Sequence, residues 1–176
     1  KILKNPRNQG KGAAVKNGML AASKAWVLFS DADLSTPIEE LDNFLKHQDA
    51  DVLIGSRALK DSRIIIHQPW YRELGGKLIN LVVRLCVLPS IRDTQCGFKL
   101  FRKSAAREIF SKQTVSGFGF DVEILYIARK KSYRVKELPV SWSNNPDTKV
   151  RAFSDGLHII ADIVKTKLND WRGLYD

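Results

Sequence analysis

The chain has 176 residues, 44% of them apolar, with 29 Lys and Arg against 19 Asp and Glu and a net charge of +10. That length suits one domain over residues 1–176 with its own core, and the apolar fraction excludes a disordered chain. Two cysteines, Cys86 and Cys96, exclude a disulfide-stapled scaffold and a four-cysteine zinc site, and fit reduced thiols in a cytosol-facing protein. The charge favours an anionic partner, whether nucleic acid, lipid headgroup or phosphorylated small molecule, or is simply a solvated basic surface. No nucleic-acid motif and no aromatic-plus-basic stripe accompanies it, so nucleic acid is not expected.

Strands and helices alternate, which predicts an α/β layer structure. Lys1 to Lys4 reads as the end of a strand. Gly10-Lys11-Gly12 opens a helix over Ala13 to Lys24. Trp26 to Phe29 is apolar on both faces, as a central parallel strand is, and stops at Ser30-Asp31. Thr36-Pro37-Ile38-Glu39 has the pattern of a capping box with Pro at the first helical position. The next predicted strand is Asp51 to Ser56, and Trp70 to Leu88 reads as a helix with a weak point at Gly75-Gly76. The apolar run Leu78 to Leu88 carries Arg84 and falls short of the roughly 20 residues a bilayer span needs, so any membrane anchor is expected outside this chain. A strand over Gly97 to Phe101 and helices over Lys103 to Lys112 and Asp121 to Lys131 follow. Tyr133 to Trp142 is a strand that Pro139 marks as edge or bent. Phe153 to Trp171 closes the chain as an amphipathic helix. Its stripe of Phe153, Leu157, Ile160, Val164, Leu168 and Trp171 either packs on the core or rests in a membrane interface, with Lys165, Lys167 and Arg172 beside anionic headgroups.

Asp31 and Asp33 sit two apart just past a buried strand, where open α/β sheets bind ligands. Two carboxylates so placed can converge on Mg²⁺ or Mn²⁺ that bridges to a diphosphate; the plainer reading is a polar turn. An Asp-x-Asp with a following Ser or Thr also opens a haloacid-dehalogenase-type phosphatase, with Asp31 as nucleophile, but no later acidic pair follows Ser56 to hold its metal. A non-catalytic basic module that binds lipid or nucleic acid is the remaining alternative. Asn8-Gln9-Gly10-Lys11-Gly12 is either a phosphate-binding turn at a helix N-terminus or an ordinary glycine turn. The three histidines are scattered, and no ligand role is expected of them.

Taken in order, five segments resemble the family 2 inverting glycosyltransferases that act on polyprenyl phosphate. They are Asn8 to Val15 with Gly18-Met19, Asp31-Ala32-Asp33-Leu34-Ser35, Gly55-Ser56-Arg57, Asp93 to Phe101, and Phe118 to Glu123. The resemblance implies a GT-A fold with a mostly parallel central sheet flanked by helices. It implies a nucleotide-sugar donor (UDP-glucose first, GDP-mannose second) and a dolichyl or polyprenyl phosphate acceptor at the cytosolic face of a membrane. That membrane is the endoplasmic reticulum in a eukaryote and the plasma membrane in a prokaryote. By the same resemblance, Asp31 and Asp33 belong to the metal, with Lys11, Gly12 and Asp31 on the donor. Asp93 and Asp33 are the catalytic candidates, Asp93 as a base of modest importance or as the orienter of an Arg or Lys. Arg57, Arg72 and Lys99 would hold the acceptor phosphate, the arginines being surface ion pairs in the plainer reading. Asp121 and Glu123 line the acceptor side or brace the sheet, Cys96 packs, and Lys149-Val150-Arg151 lies near the site's mouth. The family's opening strand and its base-binding segment have no counterpart here, so the chain is expected to lack the first strand, first helix and next strand.

Overall fold

The computed structural model describes residues 2–145 and 152–176, with side chains from residue 156 onward in the second stretch. In chain order the elements are α1 (Lys11–Ala21), β1 (Trp26–Ser30), α2 (Glu40–Phe44), β2 (Val52–Ser56), β3 (Arg63–Ile66) and α3 (Trp70–Cys86). There follow β4 (Phe98–Arg102), α4 (Lys103–Lys112), α5 (Phe120–Lys130), β5 (Val135–Pro139), β6 (Ser141–Ser143) and α6 (Ala152–Trp171).

Four strands form the main sheet in the order β1-β4-β2-β5, and β3 pairs with β6 in a second sheet. The mostly parallel sheet expected from the sequence is corrected to a mixed one. β1, β2 and β5 point the same way, but β4 runs against them between β1 and β2, so two of the three pairings are antiparallel. Trp26–Phe29 is therefore not a central parallel strand: among the described residues β1 is an outer strand paired with β4 alone. Its two apolar faces report that both sides of the sheet are covered, which is independent of strand direction. Val27, Phe29, Val52 and Ile54 face a large cluster with α4, α5 and α6, while Leu53, Phe98 and Leu100 face a smaller one with Phe44.

Three local expectations change. The capping box at Thr36 does not form. Thr36 is buried with its hydroxyl 3.9 Å from the Cys96 sulfur, and tight turns such as Glu40 N–H to Pro37 O, 3.2 Å, delay α2 to Glu40. Helix α3 runs unbroken through Gly75-Gly76. The strand expected over Tyr133 to Trp142 divides at Val140, after Pro139: β5 ends the main sheet, and β6 crosses to pair with β3. Sequence analysis missed β3 itself, because Arg63-Ile64-Ile65-Ile66 has no alternation and leaves Ile65 and Ile66 exposed.

Candidate active site

β1 and β2 release the chain at the same end of the sheet, and β4 enters there. Asp31 follows β1, Arg57 follows β2, and residues 91–97 precede β4, so three sequence-distant stretches meet around one cavity of about 380 Å³. Lys11, Asp31, Asp33, Arg57, Arg72 and Asp93 all line it. A depression of about 540 Å³ beside Arg7, Lys16 and Ser116 shares no lining residue with it and holds no carboxylate.

In the cavity Asp31 anchors its backbone N–H on Gly97 O at 2.8 Å and pairs with Lys11 Nζ at 2.7 Å. Its carboxylate lies flat against Gly97, where a Cβ would come within 2.0 Å of Asp31 Oδ2. Any larger residue there would displace the Asp31 carboxylate. The Lys11 ammonium stands 5.5 to 6.0 Å from the rings of Phe29, Phe118 and Phe120. Burial works against its charge, but Asp121 and Asp31 outweigh this and raise its pKa above the ordinary lysine value. Asp33 Oδ1 accepts the Ser35 N–H at 3.0 Å, closing the turn that carries it.

The Gln95 amide also lines this cavity, with a buried nitrogen that has no partner among the described residues. No group of three His, Cys, Asp or Glu side chains forms a complete protein cage for a metal among the described residues. Two carboxylates in a shared cavity nevertheless fit a hard cation such as Mg²⁺, which takes oxygen ligands, whereas the unpartnered Gln95 NH₂ is a donor suited to an anionic oxygen.

In the same cavity Asp93 is 1% exposed and accepts four N–H groups. They come from the Arg57 backbone at 2.9 Å, Arg57 Nε at 2.7 Å, Arg57 Nη2 at 2.9 Å and the Gln95 backbone at 3.2 Å. Burial pushes the Asp93 carboxyl up, but the Arg57 guanidinium overrides this and holds it at about 2. Of the two roles expected for Asp93, these contacts suit the orienter of an arginine better than a base. The Trp142 ring lies 5.3 Å from the Arg57 guanidinium carbon. Arg72, on the first turn of α3, is half-buried in the cavity wall.

Two residues expected to contact substrate are buried and held in other contacts. Lys99 is wholly buried beneath the cavity, bound to Asp121 and to Cys96 O at 2.6 Å, so its ammonium is not available to an acceptor phosphate. Strand alternation puts it on the same face of β4 as Phe101, towards α5. Gly12 is buried, donates its N–H to Ser116 O at 2.8 Å and accepts from Gln113 Nε2 at 3.0 Å. A Cβ there would meet Phe120 and Val115 at 2.7 Å, so close packing requires glycine at this position.

Asp121 sits under the cavity, its carboxyl raised by burial despite the Lys99 ammonium beside it. Glu123 does neither of the things expected of it: its carboxylate ties Thr114 and Val115 to Tyr175. Sequence analysis missed Gln95, Trp142 and His67 as cavity residues, although Gln95 lies inside a segment it singled out. Lys149-Val150-Arg151 lies outside the described residues.

The model of glycosyl transferase family 2 matches residues 1–110. The chain belongs to that family. Membership sets aside the phosphatase alternative. Similar proteins in the family include the dolichyl-phosphate beta-glucosyltransferase of Dictyostelium discoideum, 32% identical over 99% of this chain and 56% of its own length. That of Drosophila melanogaster is 34% identical over 98% and 56% respectively. The chain thus spans about half the length of the curated relatives it matches. Among solved structures, glucosyl-3-phosphoglycerate synthase of Mycobacterium tuberculosis superposes with a TM-score of 0.59 at 17% identity, over 94% of this chain and 57% of that one. Its complex with Mn²⁺ and UDP-glucose gives 0.58 at 14%, over 94% and 56%. At such identities the likeness is one of fold, and that fold is the expected GT-A fold.

Proposed function

We propose that the protein carrying this chain is an inverting transferase that moves glucose from UDP-glucose to dolichyl or another polyprenyl phosphate. The observation that carries the reading is one cavity lined both by the carboxylates Asp31 and Asp33 and by the guanidinium groups of Arg57 and Arg72. Such a cavity suits two phosphorylated substrates lying side by side. The choice of glucose and of the lipid acceptor is supported by the names of the similar proteins from Dictyostelium discoideum and Drosophila melanogaster.

In this reading Arg57 and Arg72 hold the acceptor phosphate, for which a planar guanidinium is geometrically suited. A lipid phosphate is already largely anionic near neutral pH, so the attack needs positioning and charge neutralisation more than a base. One phosphate oxygen attacks the anomeric carbon opposite the leaving UDP, which inverts the configuration. Asp31 and Asp33 would hold Mg²⁺ or Mn²⁺, which would supply charge neutralisation for the departing diphosphate. Lys11 keeps Asp31 in place and adds positive charge beside it.

We place this reaction on the cytosolic surface of a membrane. No described helix is long and apolar enough to cross a bilayer. Helices α3 and α6 pack together, and each exposes an apolar row: Leu74, Leu78, Leu81 and Leu85 on α3, and Leu157, Ile160, Val164, Leu168 and Trp171 on α6. Ile159, Ile163 and Thr166 occupy the inward face of α6, so its outward row is not the core-packing stripe. Lys77, Arg84, Lys165 and Arg172 are exposed on the same helices or just beyond their ends, as contact with anionic headgroups requires.

Thermal stabilisation of the full-length protein tests the donor. UDP-glucose with Mn²⁺ or Mg²⁺ should raise Tm well beyond either alone. A larger shift with GDP-mannose would reassign the sugar, and no shift with either nucleotide sugar would remove the transferase reading.

A further inference from the structure

The orientation of Arg57 depends on a series of contacts that begins outside the cavity. On β5, the Glu137 carboxylate accepts the Arg92 N–H through Oε2 and the Asp93 N–H through Oε1, both at 2.9 Å. One carboxylate thereby fixes two consecutive peptide units, which sets where the buried Asp93 side chain emerges. Asp93 in turn takes the Arg57 backbone N–H, its Nε–H and one Nη2–H. A guanidinium has five N–H donors, so three remain for the cavity that Arg57 lines. Trp142 bounds the guanidinium on its face. Glu137 itself does not line the cavity. Nor does β5 need an acid there to join the sheet, since its ladder with β2 is made by the backbone.

We propose that Glu137 is a positioning residue for acceptor recognition, acting through the 92–93 backbone and Asp93 to aim the free N–H groups of Arg57 at the acceptor phosphate. The inference rests on the reading of Arg57 as that phosphate's partner. Removing the Glu137 carboxylate releases two N–H groups and lets the 92–93 turn shift, and Asp93 and Arg57 shift with it. A misplacement on the order of 1 Å costs up to roughly a hundredfold where geometry sets the rate.

The test measures steady-state kinetics of the full-length protein with UDP-glucose and dolichyl phosphate. Glu137→Ala and the milder Glu137→Gln, which keeps one acceptor oxygen, are compared with Arg57→Ala. The KM for lipid phosphate should rise about tenfold in Glu137→Ala, less in Glu137→Gln, and in the same direction as in Arg57→Ala, while the KM for UDP-glucose stays within about twofold. If Glu137→Ala does not fold, Glu137→Gln carries the same comparison. An acceptor KM that rises in Arg57→Ala but not in the Glu137 variants overturns the role of Glu137 alone. Both KM values rising together marks a general structural part and overturns it as well. An acceptor KM unmoved in Arg57→Ala removes the reading of Arg57 on which the inference stands.

Discussion

A carboxylate that already accepts four N–H groups and faces a guanidinium is a weak proton acceptor, and Asp93 is such a group. Its folded-state pKa of about 2 lies below the ordinary 3.8, so it contributes stability that is present above the ordinary value and lost as pH falls through about 2. Asp93→Asn should lower stability at neutral pH and flatten the acid-unfolding curve between about pH 4 and pH 2, read by circular dichroism. The wild-type rate of transfer should show no inflection from this group near neutrality. Gly97→Ala should leave the fold intact but push the Asp31 carboxylate aside, weakening Mn²⁺ binding by about tenfold in a direct titration. Asp31 and Asp33 were legible because they lie just past the apolar run of β1, and a strand's end is visible in the sequence, whereas Arg57 was visible only through the resemblance of Gly55-Ser56-Arg57 to the family. Lys99 and Gly12 misled because a motif names residues without saying which side of the strand or helix each one faces.

Helices and strands were legible where their apolar period was strong. Lys103–Lys112 matches α4 end to end, and α3 and α5 lie within a residue or two of expectation. Strand direction was not legible. Phe98–Arg102 is buried on both faces whether its neighbours run with it or against it. The stripe on α6 is a case where period alone could not choose, since a row of apolar residues looks the same whether it faces a core or a bilayer. The exposure of Val164 at 54% and Leu78 at 62% decides for an outward surface. Leu78→Glu and Val164→Glu should therefore change stability by less than about 0.5 kcal/mol in urea unfolding. In the full-length protein the same pair should raise the KM for dolichyl phosphate in anionic vesicles but leave a short-chain, water-soluble polyprenyl phosphate unaffected. Equal effects on both acceptors would contradict membrane docking by these helices.

Across the whole chain, the two ends of the described structure are joined through one buried acid. Glu123 accepts from the Thr114 N–H and hydroxyl, the Val115 N–H and, at 2.6 Å, the Tyr175 hydroxyl. The next residue, Ser116, offers its carbonyl to the N–H groups of Gly12 and Ala13 at the start of α1. The C-terminal tail is thus linked to the helix that carries Lys11. No local pattern announces such a tie, because its members lie 8 to 52 residues from Glu123. Tyr175→Phe should cost about 1–2 kcal/mol in denaturant unfolding. Glu123→Ala should cost more and, by loosening Ser116, raise the KM for UDP-glucose while sparing the acceptor.

At the same scale, carboxylates and arginines from distant parts of the chain line a single cavity. The most direct test of that cavity's role is glucose transfer from UDP-glucose to dolichyl phosphate by the full-length protein, with Mn²⁺ or Mg²⁺, in wild type and in Asp33→Ala. The expected result is metal-dependent formation of dolichyl-phosphate glucose by wild type and loss of it in the variant. Metal-dependent transfer that survives Asp33→Ala at the wild-type rate would contradict the account.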